Sequence, residues 1–262
     1  MLVAQLLNLL YNIVDRIYIG KIPGQGTLAL AGLGLCFPVV TLITAFSNLF
    51  GVGGAPLCSI ARGQKDLKTA RAIMANSWFM LVVCGVVLTV LGIALHKPLL
   101  YLFGASDDTY PVAAQYMTIY LLGTVFVMIS LGLNPYINSQ GFARIGMLTV
   151  LLGAVTNIIL DPILIFGLGL GVRGAAIATV FSQMVSCVLV LTCLCRTEGS
   201  YKLSFSKLSM KGYYLKQIFQ VGIPAGIQST VINFSNALLQ SSVNSFGSTA
   251  MAGYTAANNI LG

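Results

Sequence analysis

Charge is absent from stretches of this chain long enough to cross a lipid bilayer, and that spacing limits the fold more than any other feature. Uncharged runs cover residues 22–61, 72–95, 109–143, 174–195 and 217–262, and residues 145–172 carry a single charge, Asp161. A helix needs about 20 apolar residues to traverse the hydrocarbon core. Inside that core the backbone satisfies its polar groups only as a helix or a closed barrel. A barrel would show short segments of alternating polarity, whereas these runs are continuously apolar. The expected fold is therefore an all-α polytopic membrane protein. With 8% charged and 57% hydrophobic residues, the chain has too little polar surface for a soluble 262-residue domain.

The runs and the turn residues between them predict helices near 1–20, 28–58, 72–95, 110–132, 146–168, 174–195 and 217–242, with another starting at 250. Their orientation follows from the basic residues. Arg62, Lys65, Lys68, Arg71, Arg144, Arg196, Lys202, Lys207, Lys211 and Lys216 fall in even-numbered loops, leaving only Arg16, Lys21, Lys97 and Arg173 of the 14 on the other side. The positive-inside rule then places the even loops in the cytoplasm. The net charge of +8 sets orientation in the bilayer, and no nucleic-acid partner is expected. No cleavable signal peptide is expected at Met1. The six cysteines show no CxxC spacing and read as apolar filling rather than disulfides or a zinc site.

Residues 1–195 are expected to form an N-terminal six-helix lobe, 196–216 a cytoplasmic linker, and 217–262 the start of a C-terminal lobe. A shift of 221 residues supports the division. It sets Asn12 on Asn233, Asp15 on Asn236, and the Gly26–Gly32 segment on Gly247–Gly253. Six spans separate the two copies, so they share one orientation, a parallel repeat about an axis along the membrane normal. The second copy stops within its second helix, so the chain is expected to be a fragment.

Polar residues within the spans are the functional leads. An Asp at mid-bilayer costs about 2.5–3.5 kcal/mol on insertion scales, so it is retained for an ion, a proton or a partner charge. In the fifth span Gly153, Asn157 and Asp161 stand at i, i+4 and i+8 on one face, and Pro162 removes the donor that the Ile158 carbonyl would otherwise meet. In the first span Gln5, Asn8, Asn12 and Asp15 share a face, with Tyr11 beside them. Thr179, Gln183 and Ser186 do so in the sixth, and Asn233, Asn236 and Gln240 in the seventh, where Pro224 is expected to bend the helix as Pro162 does in the fifth. Amides and hydroxyls taken singly read as interhelical glue, typically about 0.6 kcal/mol each. The two carboxylates call for a further reason. Adjacent helical positions point about 100° apart, so Arg16 is expected to reach the outer headgroups rather than pair with Asp15. Gly169-x-Gly171-x-x-Gly174 matches a dinucleotide fingerprint only in letters, since no strand precedes it. His96 is expected to mark a helix end at the interface.

Tyr11-Asn12-Ile13-Val14-Asp15-Arg16-Ile17-Tyr18-Ile19-Gly20 resembles the first-helix motif of multidrug and toxic compound extrusion (MATE) transporters. So does Asn157-Ile158-Ile159-Leu160-Asp161-Pro162, continued by Gly171-Val172-Arg173-Gly174-Ala175-Ala176-Ile177-Ala178-Thr179 and Ser182-Gln183. Ala61-Arg62-Gly63-Gln64 and Ala70 are similar to that family's cytoplasmic loop between the second and third helices, and Gly222-Ile223-Pro224 to the start of its second lobe. The resemblance implies two six-helix lobes in the cell membrane. It also implies alternating-access export of organic cations or amphipathic drugs in exchange for H⁺ or Na⁺. By the same resemblance Asp15, Asn157, Asp161 and Thr179 form a cation or proton site with Tyr11 nearby. The polar stripes themselves place Asn8, Asn12, Gln183, Asn233 and Asn236 around it or lining the cavity. No enzyme activity, catalytic residue or cofactor is expected, no metal beyond Na⁺ at that site, and the full-length protein is expected to be a monomer. Two rivals remain. A lipid-linked saccharide flippase of the wider superfamily would need a basic cavity, and the spans hold no central Lys or Arg cluster. An intramembrane aspartyl hydrolase would place its second Asp in a Gly-rich loop, which is lacking.

Overall fold

The computed structural model describes residues 13–196, residue 203 and residues 212–244, with side chains described as far as residue 228. The described end of the first helix, 13–20, is α1. It is followed by α2 (Gly26–Gly63), α3 (Leu67–Leu102), α4 (Tyr110–Leu122), α5 (Thr124–Ser139) and α6 (Ala143–Pro162). A π-helical turn (Ile163–Gly167) leads to α7 (Val172–Arg196) and α8 (Gly212–Asn244). No strand occurs among the described residues. Gly26–Gly63, Leu67–Leu102, Ala143–Gly167 and Val172–Arg196 are each long and apolar enough to cross a membrane, and α4 with α5 makes a fifth span if the bent pair is taken as one. The chain is thus a multi-pass helical membrane protein.

The helices run past the ends that charge predicts. α2 continues through Arg62, and α3 from Leu67 to Leu102 rather than 72–95. Charged residues end the apolar stretch that lipid demands, but they are good helix formers and do not end the helix itself. His96 accordingly lies inside α3 and not at its end. Its Nδ1 lies 2.8 Å from the Ile93 carbonyl and its Nε2 3.3 Å from the Tyr110 hydroxyl.

A larger departure concerns the fourth span. A single helix over 110–132 is expected, whereas the structure breaks it at Gly123 into α4 and α5, bent by 58°. A Cβ at Gly123 would lie 2.6 Å from the methyls of Val180, so only glycine lets the bend approach α7 this closely.

α5 is the central helix, packed against α2, α3, α6 and α7. Its closest neighbour is α2, whose buried Ser47, Gly51, Gly54 and Cys58 form a stripe of small residues. A Cβ on Gly51 would come within 2.7 Å of the Gly132 carbonyl, so the two backbones nearly touch. Between apolar helices in lipid such close packing replaces a hydrophobic driving force. Tyr136 of α5 is fully buried here. Its hydroxyl donates to the Phe50 carbonyl at 3.0 Å and lies 2.5 Å from the Ser77 hydroxyl of α3, tying three helices at one point.

The chain divides into two compact units, Met1–Gly222 and Ile223–Gly262. The division falls inside α8, because the first turns of α8 pack on α2. Phe219 meets Phe50 edge-on at 5.7 Å, and a Cβ on Gly222 would strike the Leu49 carbonyl. Pro224 lies within α8 in the second unit. Most of the expected linker, the helix from 250, residue 12 and the repeat partner of residues 26–32 lie outside the described residues.

Candidate functional site

The face of α6 that turns inward carries Gly146, Thr149, Gly153, Asn157 and Asp161, all buried. The opposite face presents Leu148, Leu152, Val155 and Ile159, all exposed to the surroundings of the bundle. This one-sided distribution at a spacing of four follows from the helical period. It places Asp161, with no exposed surface, at the outer end of the stripe, with Asn157 one turn below and 1% exposed. The Asn157 Nδ2 donates to Asp161 Oδ1 at 3.3 Å.

Immediately beyond Asp161 the helix changes character. Pro162 keeps helical φ and ψ, but the chain winds on as a π turn over Ile163–Gly167. The ring removes one N–H, and the wider turn lets the next donors reach new carbonyls, Leu168 to Ile163 and Leu170 to Leu164. α7 packs tightly on this turn, since a Cβ on Gly174 would lie 2.7 Å from the Leu164 backbone. Gly169 and Gly171 adopt φ of 65° and 55° in the reversal between the two helices. The glycine triplet is therefore a turn and packing element that holds the top of α7 against α6.

α1 closes the site from the other side. Tyr18 meets Phe166 of the π turn edge-on at 6.2 Å, and Ile19 is buried. Asp15, one turn before Ile19, is 9% exposed, and its carboxyl lies within hydrogen-bonding reach of the Asp161 carboxyl. Arg16 points outward and is exposed.

Two carboxylates in contact repel unless a proton or a cation lies between them. Three oxygens at this point, Asp15 Oδ1, Asn157 Oδ1 and Asp161 Oδ2, are buried with no hydrogen-bond donor among the described residues. An acceptor left unmatched in a dry interior costs more than a hydrogen bond returns. The arrangement thus has an excess of oxygen acceptors and suits a proton or a small hard cation.

Thr179 joins from α7 through a residue that sequence reasoning missed. Tyr116 of α4 is 6% exposed, and its hydroxyl lies close to Thr179 and beside Asp15. The Thr179 hydroxyl itself donates to the Ala175 carbonyl at 3.0 Å. Tyr120 stacks on Tyr116 with ring centroids 6.1 Å apart. The available signal was a tyrosine pair four residues apart, Tyr116 and Tyr120. Without the break at Gly123 their face could not be assigned, and such residues read as an interfacial belt. Gln183 lies one turn below Thr179 and engages Ser130 of α5 instead. Asn8, Tyr11 and Asn12 fall outside the described residues, as do the side chains of Asn233 and Asn236.

The MatE family model matches residues 1–163. The multidrug export protein MepA of Staphylococcus saprophyticus is 29% identical over 254 residues, covering 97% of this chain and 56% of that protein. A crystal structure of MATE in complex with MaD3S superposes with a TM-score of 0.86 at 28% identity, over 99% of this chain and 58% of that one. A MOP superfamily transporter from Pyrococcus furiosus, whose binding pocket of reverse polarity suggests a different function, gives 0.84 at 28% identity, over 100% of this chain and 57% of that one. The chain spans about half the length of the curated relatives it matches.

Proposed function

The chain belongs to the MatE family, and on that premise we propose that it serves a secondary active multidrug efflux transporter exchanging organic cations or amphipathic drugs for H⁺ or Na⁺ by alternating access. The observation that carries this reading is the buried pair Asp15 and Asp161, in contact, with three oxygens that have no donor among the described residues. Asn157, Thr179 and Tyr116 complete the proposed cation site. The export names of the relatives support a transporter rather than an enzyme.

The chemistry follows from where the pair sits. A cation taken up from outside neutralises the repulsion between α1 and α6 and draws the two helices together, and its departure loosens them. Drug and cation must favour different states, or compete, because a ligand indifferent to state shifts no equilibrium. Uptake of the cation then favours the state that has released drug, and drug binding favours the state that has lost the cation.

Gradient-driven ethidium efflux tests this in vesicles carrying the full-length protein, with proton and sodium gradients imposed separately. One gradient should drive efflux, and Asp161→Asn should abolish that drive while the protein still reaches the membrane. Unchanged efflux in that variant rejects the assignment. The flippase reading gains no support from the described spans, whose interiors bear no Lys or Arg cluster.

A further inference from the structure

The polar side chains do not stop below the carboxylates. α6 buries Thr149, Gly153, Asn157 and Asp161 at every fourth position. α7 carries Thr179, Gln183 and Ser186, and α5 carries Ser130, Asn134 and Asn138, again four apart. These stripes meet. The Asn134 amide donates to the Gly146 carbonyl at 3.0 Å and to Thr149 Oγ1 at 2.9 Å, and the Asn138 amide to Asn134 Oδ1 at 3.5 Å. Ser186 Oγ donates to the Thr149 carbonyl at 3.1 Å, and Ser130 Oγ to Gln183 Oε1 at 2.6 Å. From Asp161 to Gly146 the seam follows α6 for about 22 Å at 1.5 Å per residue. It ends at the turn before α6, where the Arg62 guanidinium donates to the Ser139 carbonyl at 3.4 Å.

Helix glue needs one or two such bonds, not three facing stripes that begin at the carboxylates and end at the cytoplasmic turn. Two details separate the readings. At mid-seam Gly153 leaves bare backbone in front of Ser186, whose Oγ a Cβ would strike. Asn134, Asn138 and Gln183 are only half-buried, so each keeps exposed surface at which its protein bond can exchange for another partner.

We propose that the α5–α6–α7 seam is the route by which the coupling cation passes from the Asp15/Asp161 pair to the cytoplasm. This rests on the antiport reading above. For a proton, the O–H bond at one carboxyl breaks as a water in the seam accepts the proton. A carboxylate remains, and the charge passes from water to water. The amides do not relay it; they hold the waters that do. In the structure the seam groups are bonded to protein partners, which closes the route. It opens when those bonds exchange for water, and a permanent leak is avoided.

The test uses the full-length protein in proteoliposomes, with Asn134→Leu and the milder Ser130→Ala. Cation and ethidium binding in detergent should match wild type in both, while maximal gradient-driven ethidium efflux falls about tenfold in Asn134→Leu and less in Ser130→Ala. Asn134→Thr, which keeps a hydroxyl in the seam, should recover part of the rate. A wild-type rate in Asn134→Leu overturns the proposal, as does loss of cation binding together with transport in Ser130→Ala. Should Asn134→Leu fail to bind ethidium, Ser130→Ala decides alone, and a wild-type rate there overturns it. Asp161→Asn in the same assay separates the two levels. If it transports normally the antiport reading fails, and if it is inactive beside a fully active Asn134→Leu only the seam fails.

Discussion

Replacing Asn157 by Ala removes two things from the site at once. The Asn157 Nδ2 bond to Asp161 Oδ1 is lost, and so is the Asn157 Oδ1 atom, one of the three buried oxygens without a donor. The two losses act in opposite senses. The Nδ2 donor stabilises the Asp161 carboxylate and so opposes cation uptake, but its bond is long at 3.3 Å. Oδ1 is an acceptor for the bound cation, and a bond of that kind to a charged group contributes about 1.5–3 kcal/mol, so the loss of Oδ1 wins. A loss of about 1–2 kcal/mol in cation affinity corresponds to roughly 5–30-fold. The assay is ethidium efflux from vesicles holding the full-length protein, titrated against the external concentration of the driving cation. The half-maximal concentration should rise by that factor, which for protons is about one pH unit toward acid, while ethidium affinity without a gradient stays unchanged. The sign follows from the role. A weakened site needs more cation to reach the same occupancy. An unshifted half-maximum, with the variant folded and in the membrane, would refute the placement of Asn157 among the cation's ligands.

Other consequences can be measured independently. Tyr116→Phe removes the hydroxyl close to Thr179 and beside Asp15, and gradient-driven efflux should fall about tenfold with ethidium binding retained. Gly51→Leu forces α2 from the Gly132 backbone and should cost about 1–3 kcal/mol or more, seen as lost monodisperse yield in detergent. Gly34→Leu, where a Cβ meets nothing within 4 Å, should be tolerated. Asp66 caps α3, accepting from the Thr69 amide at 3.1 Å and its hydroxyl at 2.7 Å, and these bonds hold its carboxyl below the ordinary value of 3.8. The cap's contribution is therefore full above pH 3.8 and lost as pH falls through the lowered value, so protection of the Thr69 amide, relative to its intrinsic exchange rate at each pH, should fall in acid and in Asp66→Ala at neutral pH.

How far the sequence could be read depended on what each signal measures. The gap between charges reports the thickness of lipid, so it found the spans and missed the ends of α2 and α3, which continue as helix through charged residues. The spacing of Gly153, Asn157 and Asp161 is a property of a single helix, and it identified the buried face of α6 directly. The break at Gly123 left no comparable trace, because a lone glycine in an apolar run also serves ordinary close packing. Tyr116 was hidden for the same reason. Its role depends on two other helices, α1 and α7, and no local pattern in α4 encodes them. Asp15 and Asp161 stood out one by one through the cost of burying charge, while their contact is a tertiary fact.

The central claim is that these two carboxylates hold the ion that drug binding expels. The most direct measurement is cation release on adding ethidium to the purified full-length protein in weakly buffered detergent solution, followed with a pH dye and, separately, with a sodium electrode. The account predicts release of one of the two cations from the wild type, and none from Asp15→Asn/Asp161→Asn at matched ethidium occupancy. Equal release from both proteins would contradict it.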